Sequence, residues 1–392
     1  MADNKGSPVS CPTAFYIFDI NALKSRVAFL RSHLPENCSV CYAVKANPFV
    51  VKEIADAIDA FEICSPGEAG VCRSLGIPSE KTVISGVYKT PSFIEGLVAD
   101  PGFHGIFTVE SLTQFRLLCD CSEKCGRRIR VLLRLTNDSQ FGINEEEIVA
   151  IVSERMRLPF VDVVGIQFFS GTQKTSIKKI AREIEALDRI LNRLKDEHGF
   201  VSEYLEYGPG FPVSYFEGDD FDEVEYLSEF SRIIAGMTFQ TKIVLELGRS
   251  IVASCGKYYT HVVDLKRNRE TDYAIVDGGM HHLVYFGQQM AMKRPRVSVV
   301  GKEDAPEGTR RTVCGSLCSM NDIIVKQMPL PEMEIVDVLC FENTGAYCMT
   351  EGISLFLTRD LPAIYLLREN GEPACVRQPF ETVELNTPKY II

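Results

Sequence analysis

Between residues 40 and 247, eight short apolar runs alternate with amphipathic stretches, and that count restricts the fold more than any other feature of the chain. The runs lie at 40–44, 61–64, 82–85, 105–109, 131–135, 163–169, 204–207 and 243–247. Their shortness and their richness in Val, Ile and Leu suit strands buried on both faces. The stretches between them read as helices. In 176–194, for example, Ile177, Ile180, Ile184, Leu187 and Leu191 recur at helical spacing. A doubly wound open sheet is also built of alternating strands and helices, but eight consecutive units favour a closed (β/α)8 TIM barrel.

After about Gly256 helical periodicity nearly vanishes. Strand-like runs at 259–265, 273–276, 297–300, 336–341 and 364–367 are separated by Gly, Pro and Asn turns, which predicts a second, mostly β domain. The run at 15–18, before a helix starting near Asn21, is expected to join it. The expected division is therefore a barrel over 22–256 and a β domain made of 1–21 and 257–392, and two domains suit a chain of 392 residues. A net charge of -11 argues against nucleic acid as the main partner, because phosphate binding needs concentrated Lys and Arg. No apolar run reaches the length of a membrane span. Residues 1–10 are polar and lack the apolar core of a signal peptide, so the 14 cysteines are expected to be free thiols in a reducing cytoplasm. Cys119, Cys121 and Cys125 are closely spaced, but no histidine or second cysteine pair follows, and no metal site is expected.

Barrels of this kind carry their chemistry at the C-terminal ends of the strands. Those ends are Lys45, Glu62 and Cys64-Ser65, Gly86, Glu110, Arg134, Phe169, Gly208 to Gly210, and Glu246. Lys45 closes an apolar run. There a lysine either reaches solvent or points into the barrel mouth, where desolvation lowers its pKa and suits Schiff-base chemistry. Gly208-Pro209-Gly210 is either a turn or an anion loop at the place where barrels commonly bind phosphate. Glu246 needs a cationic partner if buried, either a protonated ligand nitrogen or Arg249 three residues on. None of these settles the matter alone. Together a lysine, a phosphate loop, a carboxylate and an arginine on one barrel face suit pyridoxal 5′-phosphate (PLP), with Arg134 and Phe169 as further candidates for cofactor contact.

The same residues resemble the fold-type III PLP decarboxylases, the ornithine and diaminopimelate decarboxylase family, over nearly the whole chain. Tyr42-Ala43-Val44-Lys45-Ala46-Asn47 is similar to the family's cofactor-lysine motif. Glu246-Leu247-Gly248-Arg249 resembles its Glu-Pro-Gly-Arg, whose glutamate pairs with the pyridine nitrogen and whose arginine contacts phosphate. Tyr207-Gly208-Pro209-Gly210-Phe211 resembles its phosphate loop. The segment from Gly315 to Asp322 resembles the one carrying the catalytic cysteine, here Cys318. The segment from Phe341 to Tyr347 resembles the one whose tyrosine, here Tyr347, reaches the phosphate. The resemblance implies a PLP-dependent amino-acid decarboxylase that works as a head-to-tail homodimer, with the cysteine segment entering the partner's site and the thiol returning a proton to the substrate carbon.

Three departures bear on activity and substrate. The family's ring-stacking histidine is here Phe169, which stacks but exchanges no proton. Its Lys-Phe-Gly is here Gln140-Phe141-Gly142, so a lysine to pair across the dimer with Asp322 is missing. The acidic residue that binds a distal ammonium in the polyamine-type enzymes is here Ser319, which cannot neutralise a buried ammonium. The segments from Asp277 to His282 and from Pro212 to Gly218 resemble a natural-product branch acting on carrier-linked glutamate. Ser319, Asp322 and His281 are the candidate substrate contacts, although His281 reads somewhat better as a satisfied loop histidine. Two basic groups, Lys174, Lys178, Lys179 and Arg182, and Lys293, Arg294 and Arg296, are either solvated faces or a docking surface for an acidic carrier protein. Other readings are decarboxylation of a free basic amino acid or diaminopimelate, racemisation on the same scaffold, and a non-catalytic binding protein.

Overall fold

The computed structural model describes residues 14–389, so the polar segment 1–10 lies outside the described residues. The chain divides into two compact units. One comprises 27–212 and 221–250, the other 1–26, 213–220 and 251–392. Residues 213–220, within the expected barrel range, thus group with the β unit.

The first unit is a closed parallel barrel of eight strands: β2 (Cys38–Ala43), β3 (Ala60–Ile63), β4 (Thr82–Ile84), β5 (Ile106–Val109), β6 (Ile129–Arg134), β7 (Val161–Phe169), β8 (Tyr204–Gly208) and β9 (Lys242–Leu247). All eight expected runs are strands of it. Closure comes from β2 pairing with β9, Cys41 opposite Glu246, as well as with β3, Ala43 opposite Glu62. Cys41, Val83, Leu132, Val164 and Val244, from β2, β4, β6, β7 and β9, form one buried cluster. The outer helices start where the sequence offers caps. Ser65, Ser111 and Asp222 accept hydrogen bonds from the amides of Glu68, Gln114 and Glu225. The helices Leu112–Cys125 and Ile177–His198 end on Gly126 and Gly199, both at φ 60°. Cys119, Cys121 and Cys125 all lie on the first of these. In Ile177–His198 the buried face is Ile180, Ile184, Leu187, Ile190, Leu191 and Leu194, close to the spacing read from sequence.

The second unit is built on a nine-stranded sheet. β1 (Phe15–Asp19) sits inside it, antiparallel to β10 (Gly256–Asn268) and parallel to β16 (Ala363–Leu367). The remaining strands are β11 (Thr271–Val276), β12 (Val297–Val299), β13 (Arg310–Cys314), β14 (Ile323–Pro329), β15 (Val338–Phe341) and β17 (Pro373–Arg377). β13, β14 and β17 were not expected from the sequence. They carry charged or exposed residues within the strand, such as Arg310, Lys326 and Val376, so no continuous apolar run marks them. Phe15 stacks on Tyr259 at 5.0 Å, in a cluster with Val338, Cys340 and Ala363.

Candidate active site

Lys45 lies one turn past β2, in the 3-10 segment Val44–Ala46, rather than in the strand itself. The turn is held from below: the fully buried Asn47 accepts a hydrogen bond from Phe49 N through its side chain, and its carbonyl accepts the Tyr42 hydroxyl at 2.9 Å. The lysine Nζ is 2.5 Å from Glu62 Oε2, 3.3 Å from Glu246 Oε1 and 3.5 Å from Cys64 Sγ. The two carboxylates stand on the strands flanking β2, so barrel closure places one on each side of the lysine.

Their titration is divided by that geometry. Burial pushes Glu62 up, but Lys45 and the hydrogen bonds from Glu246 and Lys45 outweigh it and hold Glu62 at about 2. Glu246 goes the other way: burial raises it well above the carboxylate range, and the Glu62 charge adds to this. One carboxylate pairs with the lysine while the other keeps its proton for want of a second cation. A third carboxyl, Glu206 on β8, is 1% exposed and accepts a hydrogen bond from Gln167 Nε2 at 2.5 Å. Burial, then the charge of Glu62, raise it to about 8. Burial likewise raises the Cys64 thiol, with Glu62 adding to the effect.

The loops after β7 and β8 form the neighbouring part of the rim. Phe169 is the last residue of β7 and Gly208 the last of β8, and a Cβ on Gly208 would come within 2.4 Å of the Phe169 ring. Gly210 has φ +63°, and a Cβ there would meet Gly171 O at 2.1 Å, so both glycines are needed for the close approach. Arg249, 7% exposed, donates from Nε to Thr172 Oγ1 at 2.8 Å. Arg134, at the end of β6, forms a buried ion pair with Glu110 at 3.0 Å, and its guanidinium lies 4.7 Å from the Phe141 ring centroid. The structure therefore brings Lys45, Glu246, Phe169, Gly208, Gly210, Arg249 and Arg134 to the C-terminal ends of β2, β9, β7, β8 and β6, five contiguous strands of the closed barrel.

The other expected residues belong to the β unit. Cys318 is exposed on the turn after β13 and Ser319 is half-buried. Asp322, 2% exposed, accepts from Met280 N through Oδ1 and from Leu317 N through Oδ2, each at 2.8 Å. Its carboxylate thus ties the 278–281 turn to the loop carrying Cys318. His281 is buried against His282, ring centroids 3.8 Å apart, and its Nδ1 has no hydrogen-bond partner among the described residues. Burial, then His282, lower His281 to about 3. Tyr347 holds a left-handed backbone at φ 66°.

Sequence reasoning missed Glu206, although a lone carboxylate in the apolar run Tyr204-Leu205-Glu206-Tyr207 was a usable signal. It also missed Glu183, which nothing local distinguishes from other helix glutamates. One expectation is corrected: Lys174 is no part of a basic surface with Lys178, Lys179 and Arg182, because it is 8% exposed and paired with Glu183 at 2.7 Å. In the second basic group, Lys293 and Arg296 face Asp219 and Asp220 at 3.8 and 3.5 Å.

Comparison with known proteins identifies the family. The family model described as pyridoxal-dependent decarboxylase, pyridoxal binding domain, matches residues 20–253. An L-glutamyl-[BtrI acyl-carrier protein] decarboxylase of Niallia circulans is 26% identical, over 93% of this chain and 91% of the relative. A diaminopimelate decarboxylase of Aquifex aeolicus is also 26% identical, over 93% of this chain and 89% of its own length. The crystal structure of the Helicobacter pylori diaminopimelate decarboxylase complexed with L-lysine superposes with a TM-score of 0.85 at 23% identity, covering 96% of each chain, and shares the fold. With more than half of its length matched by the family model and the barrel rim built as described, this chain belongs to the pyridoxal-dependent decarboxylase family and uses pyridoxal 5′-phosphate as its cofactor.

Proposed function

We propose that Lys45 holds PLP and that the protein decarboxylates an amino-acid substrate whose distal end is not a free ammonium, a carrier-linked glutamyl group fitting best. The observation that carries the reading is Lys45 Nζ set between Glu62 and Glu246 at 2.5 and 3.3 Å on the rim of the barrel. The rim residues fit the cofactor. Glu246 is kept neutral by burial and by Glu62, which is the state a cationic ring nitrogen would ionise. Gly208, Gly210 and Arg249 offer backbone approach and positive charge to a phosphate. When bound, PLP supplies the electron sink that accepts the electron pair released with CO2.

The chain's own residues do the rest. Lys45 would hold the cofactor through its Nζ. Glu62 stays ionised and orients the lysine. Phe169, at the end of β7, would offer the ring an apolar face. Cys318 Sγ, exposed on its turn, holds the proton returned to the substrate carbon. An exposed thiol on the β unit suits delivery to a second protomer's barrel, which supports a head-to-tail homodimer. Substrate choice follows from the Cys318 loop. Ser319 is neutral, and Asp322, the only carboxylate from Cys318 to Asp322, has both oxygens engaged by backbone amides. Neither is free to neutralise an ammonium. Among the described residues no helix is long and apolar enough to cross a membrane, and all 13 cysteines there are free, which fits a reducing cytoplasm.

The test has two parts. Borohydride reduction followed by mass spectrometry should place a pyridoxyl group on Lys45, and a label on Lys89 or elsewhere would end the assignment. CO2 release should be measured with ornithine, lysine, diaminopimelate, glutamate and carrier-loaded glutamate. Carrier-loaded glutamate is expected to turn over best, and efficient turnover of free ornithine or lysine would sink the claim about the distal end.

A further inference from the structure

We propose that Glu183 is a positioning residue that locks the two loops holding the cofactor phosphate, although it lies on an outer helix. The inference rests on reading Gly208 to Gly210 with Arg249 as the phosphate cradle. Glu183 projects from the helix Ile177–His198, and its carboxylate accepts three hydrogen bonds from two separate stretches of chain, the loop after β7 and the strand β8. Ser170 Oγ comes from the residue after β7, Lys174 Nζ from the end of the same loop at 2.7 Å, and Tyr207 OH from β8 at 2.6 Å. Lys174 then extends the lock on its backbone. Its amide donates to Gly210 O at 2.9 Å, and its carbonyl accepts the Tyr226 hydroxyl at 2.6 Å.

The loops so fastened have little slack. Gly210 packs so closely on Gly171 that a Cβ would overlap the carbonyl at 2.1 Å, and Arg249 reaches Thr172 on the same loop. A shift of the 170–174 loop would therefore move the Gly210 amide and the Arg249 anchor together. The cluster is also buried, with Lys174 and Glu183 side chains 7% and 17% exposed, so water competes poorly for these groups. A carboxylate is the group suited to the place: it accepts from all three donors and neutralises a buried ammonium, whereas an amide accepts on one atom only.

The test separates phosphate positioning from general stability by comparing PLP with pyridoxal, which lacks the phosphate. In the full-length protein, Glu183→Gln is expected to weaken PLP binding roughly tenfold, about what one misplaced hydrogen bond to a charged group is worth, and to leave pyridoxal binding unchanged. Tyr207→Phe, which removes one donor and keeps the packing, should shift the same ratio in the same direction by less. Equal weakening of PLP and pyridoxal in both variants, or no change in the ratio, would overturn the proposal. If the unsubstituted protein itself shows no preference for PLP over pyridoxal, the phosphate cradle is wrong and the proposal falls with it.

Discussion

Replacing Glu206 by glutamine should stabilise the fold, and more so at neutral than at acid pH. The carboxyl sits inside the barrel, 1% exposed, and burial together with the Glu62 charge raises it to about 8 from an ordinary value near 4.5. Below pH 4.5 it holds its proton in folded and unfolded chains alike and costs nothing. As pH rises from there towards 8, only the unfolded chain releases the proton, so stability falls by about 1.4 kcal/mol per pH unit. At pH 7 the accumulated loss is about 3 kcal/mol. Glutamine has no proton to lose, and its amide imitates the protonated acid, one oxygen still accepting from Gln167 Nε2. The gap between Glu206→Gln and the unsubstituted protein should be small at pH 5 and grow to roughly 2–3 kcal/mol at pH 7. Urea unfolding of the cofactor-free protein, followed by circular dichroism at both pH values, measures it. A gap that does not change with pH, or a variant that is less stable throughout, would refute the claim that Glu206 is protonated in the fold.

Arg134→Ala should cost about 3–5 kcal/mol, because it leaves Glu110, with a side chain 1% exposed, as a buried charge without its partner. The double variant Arg134→Met with Glu110→Leu should recover most of that loss in the same unfolding assay. Cys318→Ala should lower kcat by roughly a hundredfold, the usual scale for a lost proton donor, while the PLP dissociation constant stays unchanged. Mixing Lys45→Ala with Cys318→Ala protomers should raise CO2 release above that of either variant alone, and no gain despite proven subunit exchange would argue against a shared site.

The barrel was legible because burial on both faces leaves each strand as an unbroken apolar run, and eight such runs name their own architecture. β13, β14 and β17 were not, because strands with an exposed face and a charge in the run carry no comparable signal. Lys45 and Glu246 could be picked out as charged residues ending apolar runs. Their closure on Glu62 could not, since it depends on the pairing of β2 with both β3 and β9, a property of the closed ring. Depth was the other blind spot. Lys174 looks like its neighbours Lys178 and Lys179 in a basic run, and only packing against Glu183 and Tyr207 shows that it is buried.

The same blindness explains why the charge balance at the centre had to come from the structure. Three carboxyls, Glu62, Glu206 and Glu246, converge inside one barrel, where Lys45 is the cation within ion-pair distance of two of them. Three buried negative charges against one cation would be prohibitive, so Glu206 and Glu246 keep their protons and Glu62 alone is ionised. An arrangement that holds neutral acids beside a lysine is poor for stability, which is why Glu206→Gln should gain it. It is well suited to receiving a ligand that brings its own positive charge, because Glu246 then loses its proton in place and needs no rearrangement to become the counter-ion.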